Sequence, residues 1–207
     1  MLRLRGNIGG TSARLQPAEL NLTWSDVSLA DAMRLLRQTD YGMRGQLTVD
    51  VSARVAAASS DSEEPGGALW MLSGVARLQG VHGWMLPGRV TDPAINLMAD
   101  AEWRVGTPHA QIGKLLIEMP DSNLRGNGDL DWSHGVLPKF HIESSSLGLG
   151  DVLTWYRAFR PGVSNNLNFE GKLGVDVTLE GWPLKLEQGA LASMGGSLTG
   201  SVLPWPL

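Results

Sequence analysis

An internal repeat constrains this chain more than any other feature. Leu4-Arg5-Gly6-Asn7 recurs as Leu124-Arg125-Gly126-Asn127, an offset of 120 positions. At that offset Ser25 meets Ser145, Leu29 meets Leu149, Asp31 meets Asp151, Arg37 meets Arg157, Gly42 meets Gly162 and Leu47 meets Leu167. No gap is needed until the register slips by six. Gly45-x-Leu47-x-Val49-Asp50-Val51 then matches Gly171-x-Leu173-x-Val175-Asp176-Val177. A colinear series of this kind marks a duplicated structural unit. Residues 1–122 are expected to form a first β-helix-β unit with extra strands, and residues 123–207 a second, truncated one. Together they are expected to make one continuous sheet, as a slice of something longer.

Each unit can be read from its periods. Ala18, Leu20, Leu22 and Trp24 alternate with Glu19, Asn21 and Thr23, the pattern of a half-buried strand. Its copy sets Pro138, Phe140 and Ile142 against Lys139, His141 and Glu143. A short helix follows. Ser28 suits its N-cap, and Asp31 sits where it can answer the first-turn N–H groups. Leu29, Ala32, Met33 and Leu36 fall on one stripe, as do Leu149, Val152, Leu153 and Tyr156 in the copy. Gly42 and Pro161-Gly162 stop the two helices. The next strand points Leu47, Val49, Val51, Ala53 and Val55 inward. Its copy points Leu173, Val175, Val177 and Leu179 inward.

More strands lie between the copies. Residues 56–67 are a polar loop with a small acidic cluster. The pattern resumes near Leu72 to Gln79. Ile95, Leu97, Ala99, Ala101 and Trp103 then alternate with Asn96, Asp100 and Glu102. Ile112 to Met119 is evenly apolar, and Leu124 to Trp132 alternates again. The spacing predicts strands of about 8 to 11 residues in antiparallel order. The expected fold is mainly β: a long antiparallel, highly twisted sheet of half-pipe type, with two short amphipathic helices at equivalent repeat positions. One face is expected to be apolar and the other polar. Its 26 glycines, roughly twice the usual share, suit strand ends and helix stops.

Function classes fall away one by one. The net charge is −4 without a basic patch, so the footprint of a nucleic-acid binder is missing. Cysteine is absent, which removes disulfides, thiolate metal sites and cysteine nucleophiles. MLRLRGNIGG lacks the apolar core of a signal peptide, and no run of about 20 apolar residues predicts a membrane helix. His82, His109, His134 and His141 fall at strand ends or on polar faces, away from metal-ligand spacing. Asp121, Asp129 and Asp131 suit turns and outward strand positions better than Ca²⁺. Gly148-Leu-Gly150 lacks the third glycine of a dinucleotide loop. No enzyme activity and no cofactor are expected. An enzyme would need His82 or His134 to meet a carboxylate in a pocket. Arg37 and Arg157, at equivalent helix positions, could take lipid headgroups, against a plainer reading as a solvated helix face. Trp205, between Pro204 and Pro206, suits a loop or fragment edge.

The stretch Leu167-Asn-Phe-Glu-Gly171-Lys-Leu173-Gly-Val-Asp176-Val-Thr-Leu179-Glu-Gly181-Trp-Pro183 resembles the repeated strand signature of AsmA-like proteins (the AsmA/TamB type). The Leu-Gly-Leu-Gly-Asp151-Val-Leu helix before it and the Gly189-Ala-Leu strands after it fit the same pattern. Ser28-Leu-Ala-Asp31 through Gly45-Gln-Leu-Thr-Val-Asp50 agrees more weakly. The resemblance implies a large bacterial envelope protein with an inner-membrane anchor and a long periplasmic β half-pipe. It also implies a part in phospholipid transport and outer-membrane biogenesis, with envelope assembly proteins as possible partners. This chain carries no anchor, which suits a periplasmic fragment tethered through a segment outside it.

The physics of the strands points the same way. An apolar sheet face must be covered by protein or by a ligand, and acyl chains gain about 0.8 kcal/mol per buried CH₂. The expected groove lining is Leu20, Leu22, Trp24, Leu47, Val49, Val51, Ile95, Leu97, Trp103, Phe140, Ile142, Leu173, Val175 and Val177. The expected occupants are phospholipid acyl chains. The alternative is a structural β-sandwich scaffold or assembly module with no lipid ligand.

Overall fold

Alternating segments pair most simply with their chain neighbours, and they do so here. The computed structural model describes residues 1–7, 19–37, 39–40, 42–56, 67–164, 166–181 and 185–193. The strands are β1 (Leu2–Asn7), β2 (Glu19–Ser28), β3 (Met43–Val55), β4 (Leu69–Gly83), β5 (Ile95–Arg104), β6 (His109–Glu118), β7 (Asn123–Asp131), β8 (Leu137–Gly148), β9 (Lys172–Glu180) and β10 (Lys185–Ser193). They form one ten-stranded sheet in the order β1 to β10, and every neighbouring pair is antiparallel. Two helices interrupt it: α1 (Leu29–Arg37) and α2 (Leu149–Phe159). The fold is therefore mainly β, as the periodicity predicts. The helices start 120 residues apart, and each follows a strand directly. The acidic loop at 57–66 and the segment around Trp205 lie outside the described residues.

Three strands outrun the expected length. β3, β4 and β8 have 13, 15 and 12 residues. The sequence suggests that β4 ends near Gln79, because Gly80 follows. Instead the β3–β4 register shifts between Arg44 and Gln46, and Gly45 and Gly80 take φ of +143° and +60° there. A bulge absorbs the irregularity, and the strand continues to Gly83.

The core sits off-centre. Ile112, Leu115, Ile142 and Val175 are its buried members, with Leu97, Ala99, Ile117, Leu124, Phe140 and Val177 among the residues packed on them. Ile112 and Leu115 belong to β6 and Ile142 to β8, with β7 between. Opposite them β7 carries glycine: Gly126 pairs with Leu115 and Ile142, and Gly128 with Ile112 and Phe140. With no side chains at these two places, the residues of β6 and β8 meet across β7.

Both helices lie at one end of the strands. α1 follows the end of β2 and leads to the start of β3, while α2 follows the end of β8. Leu29, Ala30 and Ala32 of α1 are buried, and Leu35 is exposed. The side chain of Leu36 lies outside the described residues. The stripe expected on α2 is turned. Its buried residues are Asp151, Leu153 and Ala158, while Val152 and Tyr156 are exposed. The cause is polar. The Asp151 carboxylate accepts the Asp121 N–H at 2.9 Å and the Ser122 hydroxyl at 2.5 Å, and Ser122 Oγ accepts the Gly148 N–H at 2.9 Å. Asp151 binds the β6–β7 turn instead of serving its own helix.

The α1–β3 junction is closed by Asp40. Its carboxylate accepts the Gly42 N–H at 2.9 Å, Arg34 at 2.7 Å and Arg44 at 3.3 Å. The Gly42 hydrogen bond first, then the two guanidiniums, hold the Asp40 carboxyl below the usual aspartate value, against the opposing effect of desolvation. A carboxyl lowered by folding stabilises the fold above its unfolded pKa, and the contribution fades as pH falls through the folded value. Carboxyl-detected NMR titration should therefore place Asp40 below free aspartate. Arg34→Gln should move it upward.

Candidate functional site

Cross-strand partners share a face, so the register shows which side chains the sheet gathers. One row runs Leu4, Leu22, Val51, Gly74, Ala99, Leu115, Gly126, Ile142 and Val177. A second runs Leu2, Trp24, Val49, Ala76, Leu97, Ile117 and Leu124. A third runs Gly6, Leu20, Ala53, Leu72, Ala101, Ile112, Gly128, Phe140 and Leu179. Leu47, Leu78 and Ile95 line up toward the helical end, and Trp70, Trp103, Ala110 and Leu130 toward the other. Val175 lies opposite Ser145, and Leu173 opposite Leu147. All fourteen predicted lining residues therefore share one face of one sheet.

They differ in what covers them. Ile142 and Val175 are buried, and the other twelve are only partly so. Burial concentrates across β6 to β9, around the glycines of β7. Among the described residues, β1 to β3 carry no buried residue on this face, Val81 at the helical end of β4 is 1% exposed, and Leu2 and Leu4 are 60% and 68% exposed. Trp103 meets Trp132 at a ring separation of 6.3 Å and donates its indole N–H to the Thr107 carbonyl at 3.1 Å. That pair forms an aromatic rim at the end of the face opposite the helices.

The periodicity misses three things. In β6 the phase slips between Ile112 and Leu115, opposite Ala101 and Ala99. The slip explains the evenly apolar run, and it brings Leu115 and Ile117 onto the lining. The reverse face is not uniformly polar, since Val75, Met98 and Leu116 form a row between Asp50 and Arg125. His82 meets a carboxylate, which the sequence gives no reason to expect. Its Nδ1 lies 3.2 Å from Asp92 and 2.8 Å from the Gly80 carbonyl, and the two side chains are 16% and 5% exposed. His109 pairs with Asp129 at 3.1 Å, and His141 stands 3.7 Å from Glu143 and 3.9 Å from Asp176. Among the described residues no group of three or more His, Cys, Asp or Glu converges as a metal site, and no helix is long and apolar enough to cross a membrane. Comparison with protein-family models, with curated proteins and with solved structures yields no match.

Proposed function

We propose that the chain is a non-enzymatic segment of an AsmA-like envelope protein whose apolar sheet face shields phospholipid acyl chains. On this reading it works in the periplasm in phospholipid transport and outer-membrane biogenesis, tethered to the inner membrane through another segment. The observation that carries the proposal is the continuous apolar face. It crosses nine strands in register and stays partly open over β1 to β4. A monomer that leaves such a surface uncovered exposes a patch normally reserved for a ligand or partner. Acyl chains fit because they need no polar recognition, and this face offers little.

The buried cluster at Ile112, Leu115, Ile142 and Val175 favours a second reading for the β6–β9 part. There protein already covers protein, as a scaffold requires. The two readings separate experimentally. Protein purified from an envelope extract should release phospholipid on organic extraction and carry it in native mass spectrometry. A charge in a hydrocarbon setting costs about 2.5–3.5 kcal/mol. Val51→Lys, between Leu22 and Gly74, should therefore cut lipid occupancy more than about tenfold. Ser52→Lys, on the reverse face, should leave occupancy unchanged. Lipid-free parent protein, or equal occupancy in the two variants, would leave only the scaffold.

A further inference from the structure

The connection from β4 to β5 is firmly tied. Trp84 N–H donates to the Gly42 carbonyl at 2.8 Å, Leu86 N–H to Gly83 at 3.0 Å, and Val81 N–H to Pro93 at 3.1 Å. Arg89 N–H donates to the Asp92 carboxylate at 2.7 Å, on the same oxygen that faces His82. A segment fixed this well has no need to expose apolar residues. Yet Trp84, Met85 and Val90 are 61%, 78% and 106% exposed, with Arg89 exposed among them. A tryptophan with aliphatic neighbours and an arginine is the composition that partitions into a bilayer–water interface.

Behind this loop lies a cavity of about 340 Å³ lined by Arg89, Thr91, Asp92, Thr154 and Arg157. Two arginines and one aspartate line it, and that carboxylate already accepts from the loop backbone and faces His82. Arg157 donates to the carbonyls of Ser164 and Leu167, while its Nε is buried without a partner among the described residues. An adjoining cavity of about 460 Å³ shares Thr91, Asp92, Thr154 and Arg157 and adds Val90, Met119 and Leu153 together with Asp121 and Asp151, the Asp151 carboxylate being engaged by Ser122 and the Asp121 N–H. Two arginines beside Val90, Met119 and Leu153 suit an anionic group joined to a hydrocarbon chain. The nearby Asp40 does not oppose it, being engaged by Arg34 and Arg44.

We propose that the β4–β5 connection docks the protein on an anionic phospholipid surface. Trp84, Met85 and Val90 enter the interface, and a lipid phosphate sits between Arg89 and Arg157. The inference uses residues at the helical end of the sheet and does not rest on acyl chains lying along its face.

The test is co-sedimentation of the chain with phosphatidylcholine vesicles that contain or lack phosphatidylglycerol. Binding is expected only with the anionic lipid. Arg89→Gln should weaken it about fivefold, the usual effect of one basic residue near such a surface. Trp84→Ser combined with Val90→Ser should abolish it, with the circular dichroism unchanged. Brominated acyl chains should quench part of the tryptophan fluorescence of the parent, and Trp84→Phe should remove that part while still binding. No binding to anionic vesicles at low salt, or equal binding by Arg89→Gln, overturns the proposal. So does binding of inorganic phosphate or of a protein partner through this loop without vesicle binding. Lipid carried along the sheet face is read separately, by extraction before vesicles are added, so either idea can fail alone.

Discussion

Valine in place of Gly128 should destabilise the protein by about 3 kcal/mol, the upper part of the range for overpacking a core. A Cβ at Gly128 would stand 2.5 Å from the Lys139 carbonyl oxygen and 2.6 Å from Phe140 Cδ1. A Cβ at Gly126 would fall on the His141 carbonyl. These obstacles are largely the backbone of β8, which cannot retreat without breaking its ladder with β7. The same substitution at Gly126 should therefore be at least as damaging. Gly113 supplies the control, because a Cβ there meets nothing within 4 Å. Gly113→Ala should change stability by less than about 0.5 kcal/mol. Gly6 is the counterpart of Gly126 in the first unit, and its nearest obstacle is the Leu20 side-chain tip, which can swing away. Gly6→Ala should fall between the two cases. Urea midpoints at constant m-value decide the matter, and equal shifts at Gly113 and Gly128 would refute a glycine seam in β7.

That seam also shows what the sequence can and cannot reveal. Alternation identifies which residues of β2, β3, β5, β8 and β9 share a face, because a period of two needs only local information. It therefore places all fourteen of those residues on one face without knowing the sheet order. Pairing in chain order is legible where the breaks are short, as from β5 to β8, because they leave few other partners. Contact across a strand and phase are different. Whether Gly126 ends a strand or lets β6 and β8 touch depends on what stands opposite, two strands away. The slip of phase in β6 likewise shows in the sequence only as a loss of alternation. It takes Ala99 and Ala101 on the facing strand to say which residues change sides.

Polar burial is the least legible part. His82 meets Asp92 because the β4–β5 connection turns back on itself, and nothing in the spacing of ten residues requires that. The rotation of α2 has the same origin. Hydrophobic periodicity assigns Val152 and Tyr156 inward, yet they are 40% and 55% exposed. A buried carboxylate receiving two donors outweighs the gain from those two side chains and turns the helix.

Asp151→Ala should accordingly cost about 3 kcal/mol, whereas Asp31→Ala, its repeat counterpart, should cost less than about 0.5 kcal/mol. The two aspartates lie 120 positions apart, each the third residue of its helix. Asp151 is 5% exposed and ties α2 to the β6–β7 turn, whereas Asp31 forms an i,i+3 pair with Arg34 in solvent, its side chain 68% exposed. Removing the Asp151 carboxylate leaves the Ser122 hydroxyl and the Asp121 N–H without an acceptor in a tight space, and such orphaned donors cost more than the hydrogen bonds contribute. Asp151→Asn keeps the shape and one acceptor oxygen, so it should lose less. For a chain of this size about 3 kcal/mol lowers Tm by roughly 6–12 °C. A double-mutant cycle with Ser122→Ala separates the anchor from a general effect on helix α2. Because Ser122 Oγ relays Asp151 to the Gly148 N–H, the cycle should show a coupling of about 1.5 kcal/mol or more. Additive losses would mean that Asp151 acts through its own helix, as the repeat alone suggests, and that the turn is held by something else.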